Sequence, residues 1–484
     1  MSGFERNRRH FYIGGQWATA TDRRPGQVVS PSSENVIGCV PRAQPAEVDA
    51  AVAAARRAFD DPAGWSHCPV EERARALGRL ADELDARGDD NVELMVEEMG
   101  MPIRLASVAR TARSVDLLRY YAGLAVSTWH DSQPSTRGTI VRRQPVGVVA
   151  AIVPYNGPLT LAMFKAAPAL AAGCTIVIKP SPAAPLGLYL LAEAADQASL
   201  PSGVLNIVSG DAETGEHLVA HPGVDKIAFT GSTAVGRSIA HTAAQQLRPV
   251  TLELGGKSAA VLLPDVDLDA FSEKIAGLSF TNAGQNCFCH SRILAPRPRY
   301  GEVVEAVRGV AEGVEVGDPH LPATQMGPLV SGAHRARVED YVASGVAQGA
   351  RLVAGGVRPH LPARGFYLQP TVFANVDNAM TIAQEEIFGP VVAVISYDTE
   401  DEAVHLANDS AFGLAGSVWG EDADRAERLA RRLDVGTVGI NNYVLDFEAP
   451  FGGRRMSGIG YELGPQGLDA YSKLQSVYRN VRTA

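Results

Sequence analysis

Apolar residues recur along this chain at two different periods. In the first third they recur every three to four positions, as at Val48, Val52 and Ala55, which is the period of a helix with one buried face. This spacing predicts three helices, over residues 45–60, 69–87 and 104–128. Apart from a predicted hairpin at Phe11-Tyr-Ile-Gly-Gly-Gln-Trp17, the first third is therefore expected to be mostly helical.

From Val146 onward, short β-branched runs alternate with helical stretches. The predicted strands are residues 146–153, 175–178, 204–208, 226–229 and 250–254, and the predicted helices between them are residues 159–172, 185–198, 213–220 and 234–244. This alternation is typical of a parallel, doubly wound sheet with right-handed crossovers. A second series, from 259–263 through 391–395 to 436–440, follows Gly256. The predicted fold is therefore α/β, with two doubly wound, Rossmann-like domains.

Two extended segments lie outside these series. Residues 135–143 form a polar stretch that suits an extended arm, and Leu474 to Val481 is strand-like without an evident partner. Lone strands of this kind often pair with another subunit. The sequence therefore predicts a β-arm used for oligomerisation, in a homodimer or homotetramer.

Composition narrows the class of protein. The chain of 484 residues is long enough for two or three domains, and its net charge of −10 disfavours nucleic acid as a partner. The apolar run from Val146 to Pro154 is too short to cross a membrane, and no apolar run follows the basic N-terminus, so no signal peptide is expected. Five cysteines form no disulfide framework and fit a reducing, cytoplasmic location. Cys287-Phe-Cys289 lacks two further ligands at zinc-site spacing, so no metal site is expected.

Polar or special residues follow four strands of the first series: Pro154-Tyr-Asn156, Lys179-Pro-Ser181, Thr230 to Gly236 and Glu253-Leu-Gly-Gly256. Because parallel strands end at one edge of a sheet, these residues predict a lined crevice. Gly231-x4-Gly236 suits a phosphate at a helix N-terminus, or simply a flexible helix start. Lys179 suits a ribose or phosphate, or is a solvated lysine at a strand end.

Three residues have side chains suited to covalent catalysis, each with an ordinary alternative. Cys287, in a loop after a predicted helix, is a candidate nucleophile or a buried structural thiol. Glu253, pressed between an apolar run and two glycines, is a candidate general base or an ion-paired glutamate at a domain junction. Asn156 is a candidate oxyanion donor or a turn former. Cys289 is a candidate resolving thiol for Cys287.

Taken together, these segments resemble the NAD(P)-dependent aldehyde dehydrogenase superfamily. The resemblance covers essentially the whole chain, and its motifs occur in the family's order: Pro154-Tyr-Asn156, Lys179-Pro-Ser181, Gly231-Ser-Thr-Ala-Val-Gly236, Glu253-Leu-Gly-Gly256, Asn282-Ala-Gly-Gln-Asn-Cys287, Glu385-Glu-Ile-Phe-Gly-Pro390, Asn408-Asp-Ser-Ala-Phe-Gly-Leu414 and Pro450-Phe-Gly-Gly453 with Ser457-Gly-Ile-Gly460.

The resemblance implies a role for each catalytic residue. Cys287 would attack the aldehyde, Asn156 and the backbone N–H of Cys287 would hold the oxyanion, and Glu253 would activate the water that hydrolyses the thioester. Lys179 would contact the adenosine ribose, Ser232 the pyrophosphate and Glu386 the nicotinamide ribose, with Phe388 packed against that end. The full implied cofactor set is Lys179, Ser181, Thr230, Gly231, Ser232, Gly236, Leu254, Glu386 and Phe388, and the implied substrate pocket is Gly157, Phe164, Asn286, Phe288 and Phe451.

Two departures from the family's pattern bear on cofactor and substrate. Pro182 stands where many NAD-using members carry a glutamate, so NAD is expected but NADP is not excluded. Gly157 replaces an often aromatic residue and Phe288 follows the nucleophile, which predicts a roomy apolar pocket for a neutral, hydrophobic aldehyde. The alternatives are a CoA-acylating semialdehyde dehydrogenase, a non-catalytic binding protein on the same fold, and a hydrolase built on Cys287 and His290.

The resemblance also implies a division into domains. Residues 1–123 and 144–254 would form the cofactor-binding domain and residues 255–455 the catalytic domain. Residues 124–143 and 456–484 would form the oligomerisation arm.

Overall fold

The computed structural model describes residues 4–22, 24–360 and 364–478. Its strands, in chain order, are β1 (His10–Ile13), β2 (Gln16–Thr19), β3 (Gly26–Val29), β4 (Val36–Val40), β5 (Ile140–Pro145), β6 (Val148–Ile152), β7 (Thr175–Lys179), β8 (Leu205–Ile207), β9 (Lys226–Thr230), β10 (Val250–Glu253), β11 (Ser258–Leu262), β12 (His290–Pro296), β13 (Arg351–Ala354), β14 (Thr371–Ala374), β15 (Val391–Tyr397), β16 (Phe412–Gly413), β17 (Ala415–Trp419), β18 (Thr437–Ile440), β19 (Arg454–Arg455), β20 (Gly458–Ile459) and β21 (Ser472–Val477).

The α-helices, in chain order, are α1 (Pro45–Asp60), α2 (Val70–Asp85), α3 (Gly88–Met99), α4 (Ile103–Ala109), α5 (Ala112–Thr128), α6 (Pro158–Ala172), α7 (Leu186–Gln197), α8 (Ala212–Ala220), α9 (Thr233–Ala244), α10 (Leu268–Ser279), α11 (Tyr300–Gly313), α12 (Gly332–Ala347), α13 (Thr381–Gln384), α14 (Glu400–Asn408), α15 (Ala423–Ala430) and α16 (Gly464–Asp469).

The first large sheet has the strand order β2-β1-β8-β7-β6-β9-β10-β20. Its five central strands are parallel, and their order reverses between β6 and β9. A ligand crevice forms at such a reversal, beyond the carboxyl ends of the strands. The doubly wound sheet expected from the sequence is confirmed, and antiparallel strands extend it at both edges.

The second large sheet has the order β13-β14-β15-β12-β11-β17-β18, and it is parallel except for β13. Its inner strands β11, β15 and β17 are buried almost throughout, and aliphatic residues from them form one continuous core with those of α10 and α11. Such near-continuous apolar runs are expected where helices cover both faces of a parallel sheet. The second α/β unit expected from the sequence is therefore present.

The two sheets meet through opposite edges. The residues that follow β6, β7, β9 and β10 lie at the carboxyl edge of the first sheet. Gly256, Cys287 and Glu386 precede β11, β12 and β15, so they lie at the amino edge of the second sheet. Hydrogen bonds such as that from Asn156 to Gln285 join the two edges. This facing arrangement positions the candidate site.

The arm differs from the sequence-based expectation. The terminal strand was expected to lack a partner, but β21 pairs antiparallel with β5 of the same chain, from Ser472 opposite Pro145 to Val477 opposite Ile140. Residues 135–139 form a turn in which Ser135 N donates to Thr139 O, so the extended segment begins only at Ile140. The expected strand ran to Val481, and its last three residues lie outside the described ranges.

Other differences concern segments that periodicity alone did not separate. The helix expected over 104–128 is two helices, because Arg110 has a φ of +33°, which a continuous helix cannot contain. The first third also contains β3, β4 and α3, which were not expected. Within residues 456–484, which were assigned to the arm, β20 pairs with β10 of the first sheet, and Leu254 N donates to Ser457 O.

Candidate active site

The loop that carries Cys287 is held in an unusual backbone conformation. It follows α10, whose N-terminus is capped by the Asp267 carboxylate. Asn282 and Ala283 both have positive φ, of 52° and 55°, and Gly284 follows at 71°. Consecutive left-handed residues are strained in an L-peptide and concentrate at functional sites. The sequence gives no sign of this turn beyond the single glycine.

The side chain of Gln285 hydrogen-bonds the strained turn to neighbouring segments. Its Nε2 donates to Asn282 O at 2.9 Å, and its Oε1 accepts from Val330 N at 3.0 Å. Tyr155 OH donates to the same Oε1 at 3.3 Å. The buried amide therefore ties the cysteine loop to the end of β6 and to the segment before α12, a role that the sequence analysis missed.

Cys287 is half-buried at the meeting point of the two cores. Its side chain packs against the core of the first sheet, and the next residue, Phe288, packs against the core of the second. A side chain at Gly256 would place its Cβ 2.4 Å from Cys287 O. Glycine at 256 is therefore required for the cysteine loop to approach β11 this closely.

Asn156 reaches the cysteine loop directly. Its Nδ2 donates to Gln285 O at 2.9 Å, and Asn282 Nδ2 donates to Asn156 O at 3.4 Å. An amide nitrogen carries two hydrogens, so one N–H of Asn156 remains for another acceptor. Asn156 and Cys287, 131 positions apart in the sequence, thus belong to one constellation.

Glu253 ends β10 as a buried carboxyl, with both oxygens lacking a hydrogen-bond partner among the described residues. Burial raises its pKa well above the ordinary value, the Glu462 carboxylate raises it further, and the Lys165 ammonium lowers it. A group held this way keeps its proton to a higher pH than a solvated carboxyl and accepts protons more strongly once ionised.

Lys165 and Glu462 form a buried ion pair beside Glu253, and sequence reasoning missed both. Lys165 Nζ donates to Glu462 Oε1 at 2.7 Å and to Thr230 Oγ1 at 2.6 Å, and neither charged side chain is more than 2% exposed. The signal available in the sequence was a single charge in α6, a helix otherwise apolar on all sides. Such a residue is rarely buried unless it is paired.

The two thiols of the loop have raised pKa values. Burial raises the pKa of Cys287, and the Glu386 and Glu253 carboxylates raise it further. Burial likewise raises the pKa of Cys289 to about 12. Since thiol exchange proceeds through the thiolate, this environment disfavours Cys289 as a resolving thiol.

The residues expected to bind the phosphates and the adenosine ribose lie together at the carboxyl edge of the first sheet. Ser232 caps α9, with its Oγ accepting from Val235 N at 3.4 Å, and is exposed. Lys179 is 5% exposed, donates to Pro180 O at 3.2 Å, and has its pKa lowered by burial to about 8. The remaining members of the set follow or end strands of the same sheet: Ser181 follows β7, Thr230 ends β9, Gly231 follows β9, Gly236 lies in α9 and Leu254 follows β10.

Glycines in this groove allow close packing of the backbone. A Cβ at Gly236 would lie 2.5 Å from Leu254 Cδ2, so a side chain in this first turn of α9 would force Leu254 to move. A Cβ at Gly231 would lie 2.5 Å from the ring of Phe229. An exposed helix N-terminus on a close-packed glycine turn is a suitable cradle for a pyrophosphate.

Glu386 and Phe388 lie on the opposite wall of the crevice. Glu386 Oε1 accepts from Gly256 N at 3.1 Å, and a Cβ at Gly255 would collide with the same carboxylate. Burial raises the pKa of Glu386 to about 7. The Phe388 ring contacts Tyr155 edge-to-face, with centroids 6.1 Å apart. The structure thus brings both residues to the crevice that contains Cys287.

Aromatic residues belong to the cores that contact Cys287 and Phe288. Phe164 and Phe451 belong to the core cluster against which Cys287 packs, and Phe447 lies 5.8 Å from Phe164 between ring centroids. Tyr443 lies 5.7 Å from Phe288. Phe447 and Tyr443 come from the loop before Phe451, which the sequence analysis did not single out.

Gly157 and Asn286 complete the expected pocket. A Cβ at Gly157 would have Leu161 as its only neighbour, at 3.7 Å, so the glycine leaves open space beside Asn156. Asn286 is half-buried, and its carbonyl oxygen accepts from Cys289 N at 3.0 Å.

His290, the base required by the hydrolase alternative, makes no hydrogen bond to Cys287. It is fully buried, neither ring nitrogen has a partner among the described residues, and its ring lies against Tyr443. Burial lowers its pKa to about 4. The geometry therefore disfavours a Cys287–His290 hydrolase.

Within residues 4–22, 24–360 and 364–478, no cluster of three or more His, Cys, Asp or Glu side chains could hold a metal ion. Among the helices of those residues, none is long and apolar enough to cross a membrane.

Comparison with known proteins identifies the family. Residues 17–477 match the model of the aldehyde dehydrogenase family. The geranial dehydrogenase of Castellaniella defragrans is 50% identical over 97% of this chain and 98% of its own length. The crystal structure of a Mycobacterium tuberculosis aldehyde dehydrogenase complexed with NAD+ superposes with a TM-score of 0.96 at 47% identity, covering 98% of this chain and 99% of that one.

An aldehyde dehydrogenase C mutant from Pseudomonas syringae, crystallised with NAD+ and octanal, superposes with a TM-score of 0.93 at 39% identity over 98% of each chain. The chain therefore belongs to the aldehyde dehydrogenase family, and it is an oxidoreductase that acts on the aldehyde group.

Proposed function

We propose that the chain oxidises a neutral, hydrophobic aldehyde to the carboxylic acid with NAD+, through a covalent intermediate on Cys287. The observation that carries the proposal is the meeting of two sheet edges. This meeting brings Asn156 and Glu253 from the first sheet to the loop of Cys287 before the second.

In the first step, the Cys287 sulfur adds to the aldehyde carbon and the carbonyl oxygen becomes an oxyanion. The free N–H of Asn156 and the backbone N–H of Cys287 are the donors proposed to hold that oxyanion. Burial raises the pKa of the Cys287 thiol, and the Glu386 and Glu253 carboxylates raise it further. Positive charge or donor amides entering the crevice are therefore needed to favour the thiolate.

In the second step, NAD+ supplies the acceptor for the hydride that leaves the thiohemiacetal carbon. The chain's part is to hold the resulting thioester on Cys287 and to direct water to it. Glu253, buried and raised in pKa, is the proposed base for that water. Only the ionised carboxylate can accept the proton, so deacylation should slow as the pH falls through this raised pKa.

The groove fits a dinucleotide. We infer that Ser232 lies at the pyrophosphate and that Lys179 and Glu386 contact the two riboses. The exposed cap of α9, the burial of the Lys179 ammonium and the Glu386 carboxylate beside Gly256 support this assignment. Pro182 is exposed at the adenosine end and offers no carboxylate to repel a 2′-phosphate. NAD+ is favoured because solved relatives are NAD+ complexes.

The pocket lining supports an apolar substrate. Phe164 and Phe451 belong to the core cluster against which Cys287 packs, and Phe447 contacts Phe164. Phe288 lies against Tyr443. Burying the carbon chain of an aldehyde against such residues contributes about 0.8 kcal/mol for each CH₂. Relatives of this chain are a geranial dehydrogenase and an enzyme crystallised with octanal, which agrees with this choice.

The proposed function is tested with a panel of aldehydes and both cofactors, read as absorbance of the reduced nicotinamide. Medium-chain and terpenoid aldehydes with NAD+ should give the highest kcat/KM, and charged aldehydes of similar length the lowest. The absence of cofactor reduction with every aldehyde would contradict the proposal. Addition of coenzyme A separates the CoA-acylating alternative, which requires the thiol as acceptor; Glu253 beside Cys287 favours hydrolysis.

We also propose that the chain forms a homodimer or homotetramer through the two-stranded arm of β5 and β21. Leu474 and Tyr478 on the arm are 66% and 82% exposed, and β18 leaves one edge of the second sheet without a strand partner among the described residues. Exposed edges and apolar patches of this kind are sites of subunit contact. Light scattering should give a multiple of the 51.2 kDa chain mass, and a monomer would contradict the proposal.

A cytoplasmic location is proposed from the cysteines. All five are free thiols and three of them are half-buried, which is the state expected in a reducing compartment. Fractionation of cells that express the chain tests this location directly.

A further inference from the structure

Helix α12 is hydrogen-bonded to the segment Glu385–Gly389, which contains Glu386 and Phe388. Tyr341 OH donates to Glu385 Oε2 at 2.8 Å, and Arg337 donates to Glu386 O at 3.2 Å. His334 Nε2 donates to Phe388 O at 2.7 Å. The three donors stand at positions i, i+3 and i+7 of the helix, so they share one face.

The backbone of this segment is strained at Phe388, the residue whose carbonyl oxygen accepts from His334. Phe388 has a φ of +58°, in the left-handed region that a bulky side chain rarely adopts. The next residue, Gly389, could not carry a side chain, since its Cβ would lie 2.7 Å from Val338 on the same face of α12. Such a conformation persists only where its surroundings over-determine it.

His334 contacts Phe388 in two ways. Besides the hydrogen bond, its ring lies against the Phe388 ring with centroids 6.2 Å apart. Because Nε2 faces a carbonyl oxygen, that nitrogen carries the proton in the neutral ring. Burial lowers the pKa of His334, which keeps the ring neutral near neutral pH. The helix is fixed in turn, as Ser331 caps it by accepting from His334 N at 3.2 Å.

We propose that His334 is a positioning residue for the cofactor, because its Nε2–H holds Phe388 in the left-handed conformation that places Glu386 and Phe388 at the nicotinamide end of the groove. The proposal rests on the proposed function, in which Glu386 and Phe388 contact that end. His334 contacts both the backbone oxygen and the ring of Phe388, and Tyr155 contacts the same ring.

Two substitutions separate the hydrogen bond from the packing of the ring. His334→Gln places an amide N–H near the position of Nε2, whereas His334→Phe keeps an aromatic ring and loses the donor. We expect His334→Phe to raise the Kd and KM for NAD+ about tenfold, the effect of one hydrogen bond, with a much smaller change in kcat. His334→Gln should restore the wild-type Kd. His405→Ala, at an exposed position on α14, is the matched control and should change neither constant.

Titration calorimetry with NAD+ gives the Kd. Hydrolysis of p-nitrophenyl acetate without cofactor reports on Cys287 and Glu253 independently of cofactor binding. The proposal predicts unchanged ester hydrolysis in every His334 variant, which general damage to the fold would not leave intact. It is overturned if His334→Phe binds NAD+ as the wild type does, or if His334→Gln binds as weakly as His334→Phe. Should the phenylalanine variant fail to fold, His334→Ala decides by the same criteria.

The same experiment keeps the two proposals apart. A wild-type chain that reduces no NAD+ with any aldehyde removes the proposed function. A wild-type chain that turns over normally, with His334→Phe equal to it in NAD+ affinity, removes only the role of His334.

Discussion

Replacing Cys287 with alanine should abolish aldehyde oxidation, with a loss on the order of 10⁴-fold or more in kcat, because it removes the sulfur proposed to form the covalent intermediate. The fold should survive, since Cys287 is half-buried and alanine removes a single atom. NAD+ binding should be retained, because the residues proposed to hold the cofactor do not include the thiol. Reduced nicotinamide formation and NAD+ titration measure the two effects separately.

Cys289→Ala is the matched control for that variant. It removes the same atom two positions further along the loop, where the thiol is 7% exposed and has a raised pKa. The control should keep most of the activity. Turnover retained by Cys287→Ala, or lost equally by Cys289→Ala, would show that the nucleophile has been assigned to the wrong residue.

Replacing Glu253 with glutamine should separate the two halves of the reaction. Glutamine has nearly the same shape but cannot accept a proton, so hydride transfer should proceed once while deacylation slows by about 10²- to 10⁴-fold. Rapid mixing should therefore show a burst of one reduced nicotinamide per site followed by a slow steady rate. A variant with normal steady turnover and no burst would exclude Glu253 as the base.

Glu462→Gln is the control for charge in the same buried cluster. The Glu462 carboxylate raises the pKa of Glu253, so its removal should lower that pKa. The base is then ionised at lower pH, and the acidic limb of the kcat profile should move to lower pH while the burst stays absent. Glutamine Oε1 can still accept from Lys165, which limits the cost of losing the ion pair.

The proximity of Asn156, Glu253 and the dinucleotide groove could be predicted, because it follows from the topology of the first sheet. Parallel strands end at one edge, so residues after β6, β7, β9 and β10 must lie together whatever their exact bounds. The placement of Cys287 opposite them could not be derived from periodicity. It depends on the second sheet meeting the first through its amino edge, and the motifs of the family supplied that expectation.

The features that sequence reasoning missed depend on contacts between distant segments. Lys165 and Glu462 are 297 positions apart, and β21 pairs with a strand about 330 positions earlier. The left-handed turn at Asn282 and Ala283 arises from the hydrogen bonds of Gln285, and no local propensity encodes it. Local pattern can indicate that a charge inside α6 needs a partner, but it cannot name that partner.

The most direct test of covalent catalysis by Cys287 is the mass of the peptide that contains Cys287 after one turnover. The Glu253→Gln chain is mixed with NAD+ and a medium-chain aldehyde, quenched in acid, digested and analysed by mass spectrometry. If Cys287 is the nucleophile, the peptide containing it should gain the mass of one acyl group, in proportion to the reduced nicotinamide formed. An unmodified Cys287 after stoichiometric cofactor reduction, or an acyl group on Cys289 instead, would contradict this assignment.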